Sequence, residues 1–457
     1  MDTNLLSNVS PIDGRYKEIT RELTNFFSEY AYIKYRLLVQ LQYLLYFLQI
    51  TKSKNYTNTN KEYIHNVFMK INCNFDINEC KKVKEIETKT KHDVKAIEYY
   101  IRDKLEENEL SYLNQYIHFG LTSQDINSVA HMMSIKDAIY HIYIIKLDTI
   151  IETLNRMSLN YKNIVMLSRT HGQPASPTTL GKEIYVFCYR LKQERKMIYE
   201  TKYRCKFGGA SGNWNAHKVA YPQINWPEFG NNFIQDLGLI RNQYSTQISN
   251  YDEISCLLDN LKRINTIFID FVTDMWYYIS LNYFTQMTEP EQVGSSTMPH
   301  KVNPIHFENC EGNLIVCNSI MECLSRKLPI SRLQRDLSDS TMLRNMGTIF
   351  GYILVGFNSL TLGLTNITPN KDEIEKDLKR NNSIILEGIQ TILRREGIHN
   401  AYEQTKRICN GNNNISQEKL QDFIINLDLN EAVKNELLNI NVFNYIGYSN
   451  ILQPDYM

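Results

Sequence analysis

The chain has no excess charge of either sign. In 457 residues, 50 Lys plus Arg balance 50 Asp plus Glu, so no global field draws it to nucleic acid or an anionic membrane, and charged partners have to be met locally. Cysteine is present without a pattern: nine are scattered, an odd number with no CxxC pair. That excludes a disulfide framework and the common zinc modules, and it fits reduced thiols in a cytosolic chain. His300, His306 and Glu308 are the nearest approach to a ligand cluster, and their spacing matches no common metal motif, so no metal is expected. Strand-like alternation is scarce, and nucleophile elbows, cofactor fingerprints and internal repeats are missing. Met1 to Ser10 is polar and lacks a basic region followed by an apolar core, so it does not read as a secretory signal. The one long uncharged run, Met346 to Leu364, is about long enough to cross a bilayer. It carries Gly347, Gly351, Gly356, Asn358, Ser359 and Thr361, which also suit close helix packing, and it reads as a buried helix of a bundle.

What is present is helical periodicity. The length allows two or three domains; the chain turns polar and charged beyond Leu364, which reads as a smaller C-terminal domain over 365–457, and the division expected before it is 1–112 as an N-terminal helical domain and 113–364 as a central long-helix domain. Phe26 to Ile50 has apolar residues at amphipathic spacing, and Asp252 to Phe284 and Ile305 to Leu328 are long helical stretches. Thr88 to Glu98 reads as one helix-like stretch bearing His92 and Asp93. Thr51 to Asn60 and Asn410 to Asn414 are polar, low-complexity loops. Gly208, Gly209 and Gly212 could cradle a phosphate, but no strand precedes them and no Lys-Ser/Thr follows, so they read mainly as a tight backbone passage.

Gly294 to Pro304, Gly-Ser-Ser-Thr-Met-Pro-His-Lys-Val-Asn-Pro, combines backbone freedom and hydroxyls with Lys301 and an Asn303-Pro304 helix start. A helix is expected at its end, offering free N–H groups and a positive dipole end to an anion. Thr122, with Asp125 three residues on, has the form of a second capped helix start just after His118. Ser168 to Pro177, too rich in Gly and Pro for mid-helix, presents His171 on a loop between long helices. Arg332, Arg335 and Arg344 surround Ser338, Ser340 and Thr341, a cluster suited to phosphate or carboxylate. Hydroxyls, three separate histidines, helix starts and arginines fit a polyanionic substrate whose difficulty is proton removal next to a carboxylate.

The Gly294–Pro304 stretch resembles the signature of the fumarase/aspartase superfamily. His171-Gly172-Gln173-Pro174-Ala175 and Asp336-Leu337-Ser338-Asp339-Ser340-Thr341 are similar to its adenylosuccinate lyase branch, with matching segments from about Ser10 to Asn450. The resemblance implies an all-α fold with three helical domains and a central long-helix bundle, and a cytoplasmic homotetramer whose active sites each draw on three subunits. It implies cofactor-free elimination of fumarate from adenylosuccinate and from the succinyl-carboxamide ribotide, small-molecule nucleotides being the substrates. It places Ser295 as general base and His171 as general acid, with His92, His118, Lys301 and Glu308 in the catalytic group. Arg15, Tyr16, Lys91, His92, Asp93, Thr122, Ser123, Gln247, Ser296, Lys301, Val302, Asn303, Asn309, Arg335, Ser340, Thr341, Met342, Leu343 and Arg344 fall to substrate binding. Lys91 departs from the neutral residue of close bacterial relatives. The alternatives are another fumarate-forming lyase, such as argininosuccinate lyase, and a structural protein that reuses the fold. A purely structural descendant would have no physical need of Ser295, His171 and Lys301 together.

Overall fold

The computed structural model describes residues 6–287, 297–298, 300–409 and 414–451. The chain is overwhelmingly helical; among the described residues the strands form only three two-stranded pairs. The loop reading of Asn410 to Asn414 lies largely outside the described residues. Two compact units emerge, each assembled from separated stretches: residues 1–147, 194–266 and 312–358 form one, and 148–193, 267–311 and 359–457 the other.

In the first unit the helix Glu29–Ile50 is central. Ser28 stops the preceding turn in an extended conformation, and its Oγ accepts the Ala31 N–H at 3.1 Å, so the helix starts cleanly. The amphipathic reading is corrected here, because Leu37, Val39, Leu41, Tyr43, Leu44, Phe47 and Leu48 bury nearly the whole circumference. Tyr43 and Phe47 enter an aromatic cluster with Phe207, Phe229, Phe233 and Trp226. His217 sits within it, its ring centroid 4.9 Å from that of Trp214 and 4.7 Å from that of Trp226. The Thr88–Glu98 stretch is not one helix. Ile77–Thr90 ends where Lys91 turns left-handed (φ +55°), and His92 caps a new helix, Asp93–Glu107, by accepting the Lys95 N–H on Nδ1 at 3.1 Å.

The uncharged run forms the helix Met346–Thr365. It is apolar enough to cross a membrane by composition, yet 67% of its apolar window is buried in the protein, as in a core helix. Its glycines set how closely neighbours approach: a Cβ at Gly347 would lie 2.8 Å from Phe27 Cβ, and one at Gly351 2.6 Å from Ile12 Cγ2.

The second unit contains the largest departure from the sequence reading. Ser168 to Pro177 is the body of an antiparallel hairpin, Val165–Thr170 against Gln173–Thr179, with a register shift between Leu167 and Ser168. His171 and Gly172 form its two-residue tip with φ of +53° and +72°, the left-handed pair that suits a tight hairpin. The prolines are tolerated because each strand has a free edge. Leu167 joins an apolar cluster with Leu378, Ile385, Leu386, Ile389 and Leu393. The short helices expected near Glu373 and Glu431 are Lys371–Arg380 and Glu431–Asn439.

Candidate active site

Lys91, His92, Asp93, Ser123, Arg335, Ser340 and Arg344 converge in the first unit on one cavity of about 350 Å³. Each owes its place to an element end: Lys91 and His92 to the break between two helices, Ser123 to the start of the Ser123–Ala138 helix, Ser340 to the short helix Ser338–Leu343. Gln247 joins through its Oε1, which accepts from Arg335 Nη1 at 3.3 Å, and Gln124 Nε2 donates to Ser340 Oγ at 3.3 Å. Thr122 caps its helix as expected, its N–H donating to Asp125 Oδ2 at 2.9 Å.

Residues that the sequence reading passed over complete the cavity. Arg36, almost fully buried, lies 3.2 Å from Asp93 Oδ2. Burial opposes ionisation of Asp93, but Arg36 and the Val94 N–H outweigh it and hold the carboxyl below its ordinary range. Tyr32, Asn127 and His131 also line the space, and Tyr32 Oη, Asn127 Oδ1 and His131 Nδ1 are buried with no hydrogen-bond partner among the described residues. Burial, reinforced by Arg36 and Arg344, lowers the His131 pKa to about 3, so its imidazole is neutral. The available signal was Arg36 and His131 standing among apolar helix positions, where an unexplained polar group asks for a partner.

Behind the Thr122–Ser123 helix start, the glycine passage performs an internal task. Asp125 and Lys206, both fully buried, pair at 2.7 Å, and Asp125 Oδ1 accepts the N–H groups of Gly208 at 2.8 Å and Gly209 at 3.1 Å. The anion cradled by those glycines is a side chain of the protein itself. His118 is mostly buried; Gln40 Nε2 lies 2.9 Å from its Nδ1, Glu98 lies 3.9 Å from its Nε2, and burial lowers its pKa despite Glu98.

Other candidates fall elsewhere. Arg15 and Tyr16 line a separate groove of about 1070 Å³, with the Arg15 guanidinium 5.9 Å from the Tyr16 ring centroid. Thr341 is exposed, Met342 half-buried, and Leu343 packs into the interior at 2% exposure, which leaves its backbone rather than its side chain for any ligand. In the second unit His171 is exposed at the hairpin tip, and Lys301 and Val302 are exposed just before the helix Ile305–Lys327, which begins where Asn303-Pro304 placed it. Glu308 accepts from Trp276 Nε1 at 3.2 Å, and Asn309 Oδ1 accepts from Ser359 Oγ at 2.7 Å. Ser295 and Ser296 lie outside the described residues. Among the described residues no three His, Cys, Asp or Glu side chains are grouped to hold a metal ion.

A lyase family model matches residues 14–321, and a model for the adenylosuccinate lyase C-terminal region matches 331–446. The chain is 46% identical over 453 residues to the adenylosuccinate lyase of Dictyostelium discoideum, covering 97% of each. The chain belongs to the adenylosuccinate lyase family. The adenylosuccinate lyase of Escherichia coli K12 is 40% identical over 448 residues, with 98% of each chain covered. Among solved structures, a fumarate lyase from Mesorhizobium sp. BNC1 superposes with a TM-score of 0.73 at 15% identity, covering 94% of this chain and 96% of that one. The 3-carboxy-cis,cis-muconate lactonizing enzyme of Pseudomonas putida gives 0.72 at 16%, covering 94% of each. At such identity these two establish the fold alone, the helical architecture expected of an adenylosuccinate lyase family member.

Proposed function

We infer that this chain eliminates fumarate from adenylosuccinate, leaving AMP, and from succinyl-aminoimidazole-carboxamide ribotide, leaving the carboxamide ribotide. The observation that carries the reading is the cavity itself: Arg335, Arg344 and Ser340 offer donors to a phosphate, while Asp93, kept ionised by Arg36, offers an acceptor to hydroxyls. Full-length similarity to adenylosuccinate lyases of two distant organisms supports the same conclusion.

In this mechanism Ser295 removes a proton from the succinyl carbon next to a carboxylate, and the electron pair spreads into that carboxylate as an aci form. The C–N bond then breaks, and His171 delivers a proton to the departing nitrogen. Lys301, Asn303, Ser296, Thr122 and Ser123 act as donors to the spreading charge, and His118 and Glu308 support the catalytic groups. The remaining family positions bind the nucleotide, with Arg15 and Tyr16 arriving from their own groove. The reading includes a cytoplasmic homotetramer with 1–112, 113–364 and 365–457 as its domains, and with His171 and Ser295 of one site supplied by different subunits.

Incubation with adenylosuccinate, following fumarate and AMP, tests the assignment. Cleavage of argininosuccinate instead would move the chain to the runner-up branch, and inactivity on both at high enzyme concentration would leave a structural descendant.

A further inference from the structure

His171 and Gly172 are exposed at the hairpin tip, whose aim depends on what fixes the strands below it. The contacts that do so on its two strands include Leu167 in the C-terminal apolar cluster, Thr179 Oγ1 to the Ser449 carbonyl, Ser176 Oγ to Glu387, and Arg169 to Asp377. The last is closest to the tip. Arg169, two residues before His171, donates from Nη2 to Asp377 Oδ2 at 2.6 Å.

The same carboxylate oxygen holds a second segment. Tyr283, 1% exposed and stacked on Tyr278 with ring centroids 5.9 Å apart, donates its hydroxyl to Asp377 Oδ2. Tyr283 immediately precedes the strand Phe284–Gln286, which pairs with Ile367–Pro369. From that strand Gln286 Nε2 reaches the Val302 carbonyl at 2.9 Å, tethering the segment that carries Lys301. The helix bearing Asp377 is itself fixed. Ile374 and Leu378 are fully buried, the Asn370 N–H at its cap donates to the Tyr283 carbonyl at 2.8 Å, and Asn381 Nδ2 holds Asp377 Oδ1 at 3.2 Å.

We propose that Asp377 is a positioning residue that fixes two catalytic segments at once, the His171 hairpin through Arg169 and the Lys301–Asn303 segment through Tyr283. The proposal rests on the catalytic roles assigned above. If those two segments serve different sites of an oligomer, a single carboxylate in the C-terminal region sets the geometry of one site's acid and of another site's charge-stabilising lysine.

The test uses the full-length enzyme. Asp377→Asn is expected to lower kcat about 10- to 100-fold, the range expected of a small misplacement of reacting groups, with KM within about 2-fold and Asp377→Glu recovering most of the loss. Arg169→Gln and Tyr283→Phe each remove one arm, and their fold-losses should multiply to that of Asp377→Asn; the pair also decides the question if Asp377→Asn does not fold. A merely structural role would lower Tm and yield and leave kcat per folded enzyme unchanged, and that result overturns the proposal. Asp377→Asn matching one arm alone overturns the claim that both segments are held.

Refolded mixtures assign the arms. Tyr283→Phe mixed with His171→Ala should contain sites of wild-type rate, whereas Arg169→Gln mixed with His171→Ala should not. A control mixture of His171→Ala with Lys301→Met that stays inactive would reject the sharing of sites between subunits, while the kcat ratios still judge Asp377.

Discussion

His217 provides a test of the electrostatics that needs no substrate. Its ring is completely buried among Trp214, Trp226, Phe119 and Tyr43. The Tyr43 hydroxyl donates to the Phe119 carbonyl at 2.5 Å, so toward His217 Nε2, 2.9 Å away, it can only accept; Nε2 therefore carries the proton and Nδ1 is bare. Among the described residues Nδ1 has no hydrogen-bond partner. Protonating it would bury a new N–H and a charge with no acceptor, and burial, with a smaller opposing pull from Asp125, lowers the pKa to about 4. In the unfolded chain the same group titrates near 6.5. Between these values the unfolded state binds the extra proton, so stability is complete above about pH 6.5 and falls as pH drops toward 4. The slope is about 1.4 kcal/mol per pH unit, roughly 3 kcal/mol in all. His118 and His131 pull the same way, so the measurement is a difference. Urea midpoints of wild type and His217→Phe at fixed protein concentration between pH 7.5 and 4.5 should converge as pH falls, the wild type losing about one proton's worth of slope more than the variant. Parallel pH profiles for the two proteins would refute a neutral caged imidazole.

Ser295→Ala should lower kcat by about 10²- to 10⁴-fold, the usual contribution of a general base, while adenylosuccinate still binds by calorimetry; near wild-type turnover would remove Ser295 from that role. Lys301→Met should lower kcat more than it raises KM, by roughly 3 kcal/mol if the ammonium stabilises developing charge. A change in KM alone would make Lys301 a binding charge. His171→Ala and Ser295→Ala, each inactive, should regain about a quarter of wild-type sites when refolded together at equal amounts, as random exchange in a symmetric oligomer with shared sites requires. Mixed oligomers as inactive as their parents would reject the shared site.

The sequence made the helical architecture legible because apolar periodicity and punctuation acted locally. Asn303-Pro304 marked the start of Ile305–Lys327, Thr122 and Asp125 formed their cap, and Met346–Thr365 is a core helix. The hairpin was not legible, since its strands contain prolines and its pairing is set by a left-handed His171-Gly172 tip and by packing of Leu167 against distant helices. The break at Lys91 was hidden for a similar reason: neither Gly nor Pro marks it, and a lysine takes the left-handed conformation. In the cavity, the residues at element ends were recoverable from motifs. Arg36, Tyr32, Asn127 and His131 were not, because they come from the interior of helices whose rotation becomes known only once the helices pack.

The packing of Ile12 and Phe27 against Gly351 and Gly347 has a consequence for the order in which the molecule is completed. The most apolar helix among the described residues is covered along one side by Ile12 and Phe27, which lie far earlier in the sequence. Closing so long an intervening stretch costs little more free energy than closing a moderate one, but it is slow, and until it happens a membrane-like surface is open to water and to other chains. Ile12 and Phe27 thus act as a seal: they can seat only once the Met346–Thr365 helix, far along the chain, has been made, and until then its glycine-lined face is uncovered.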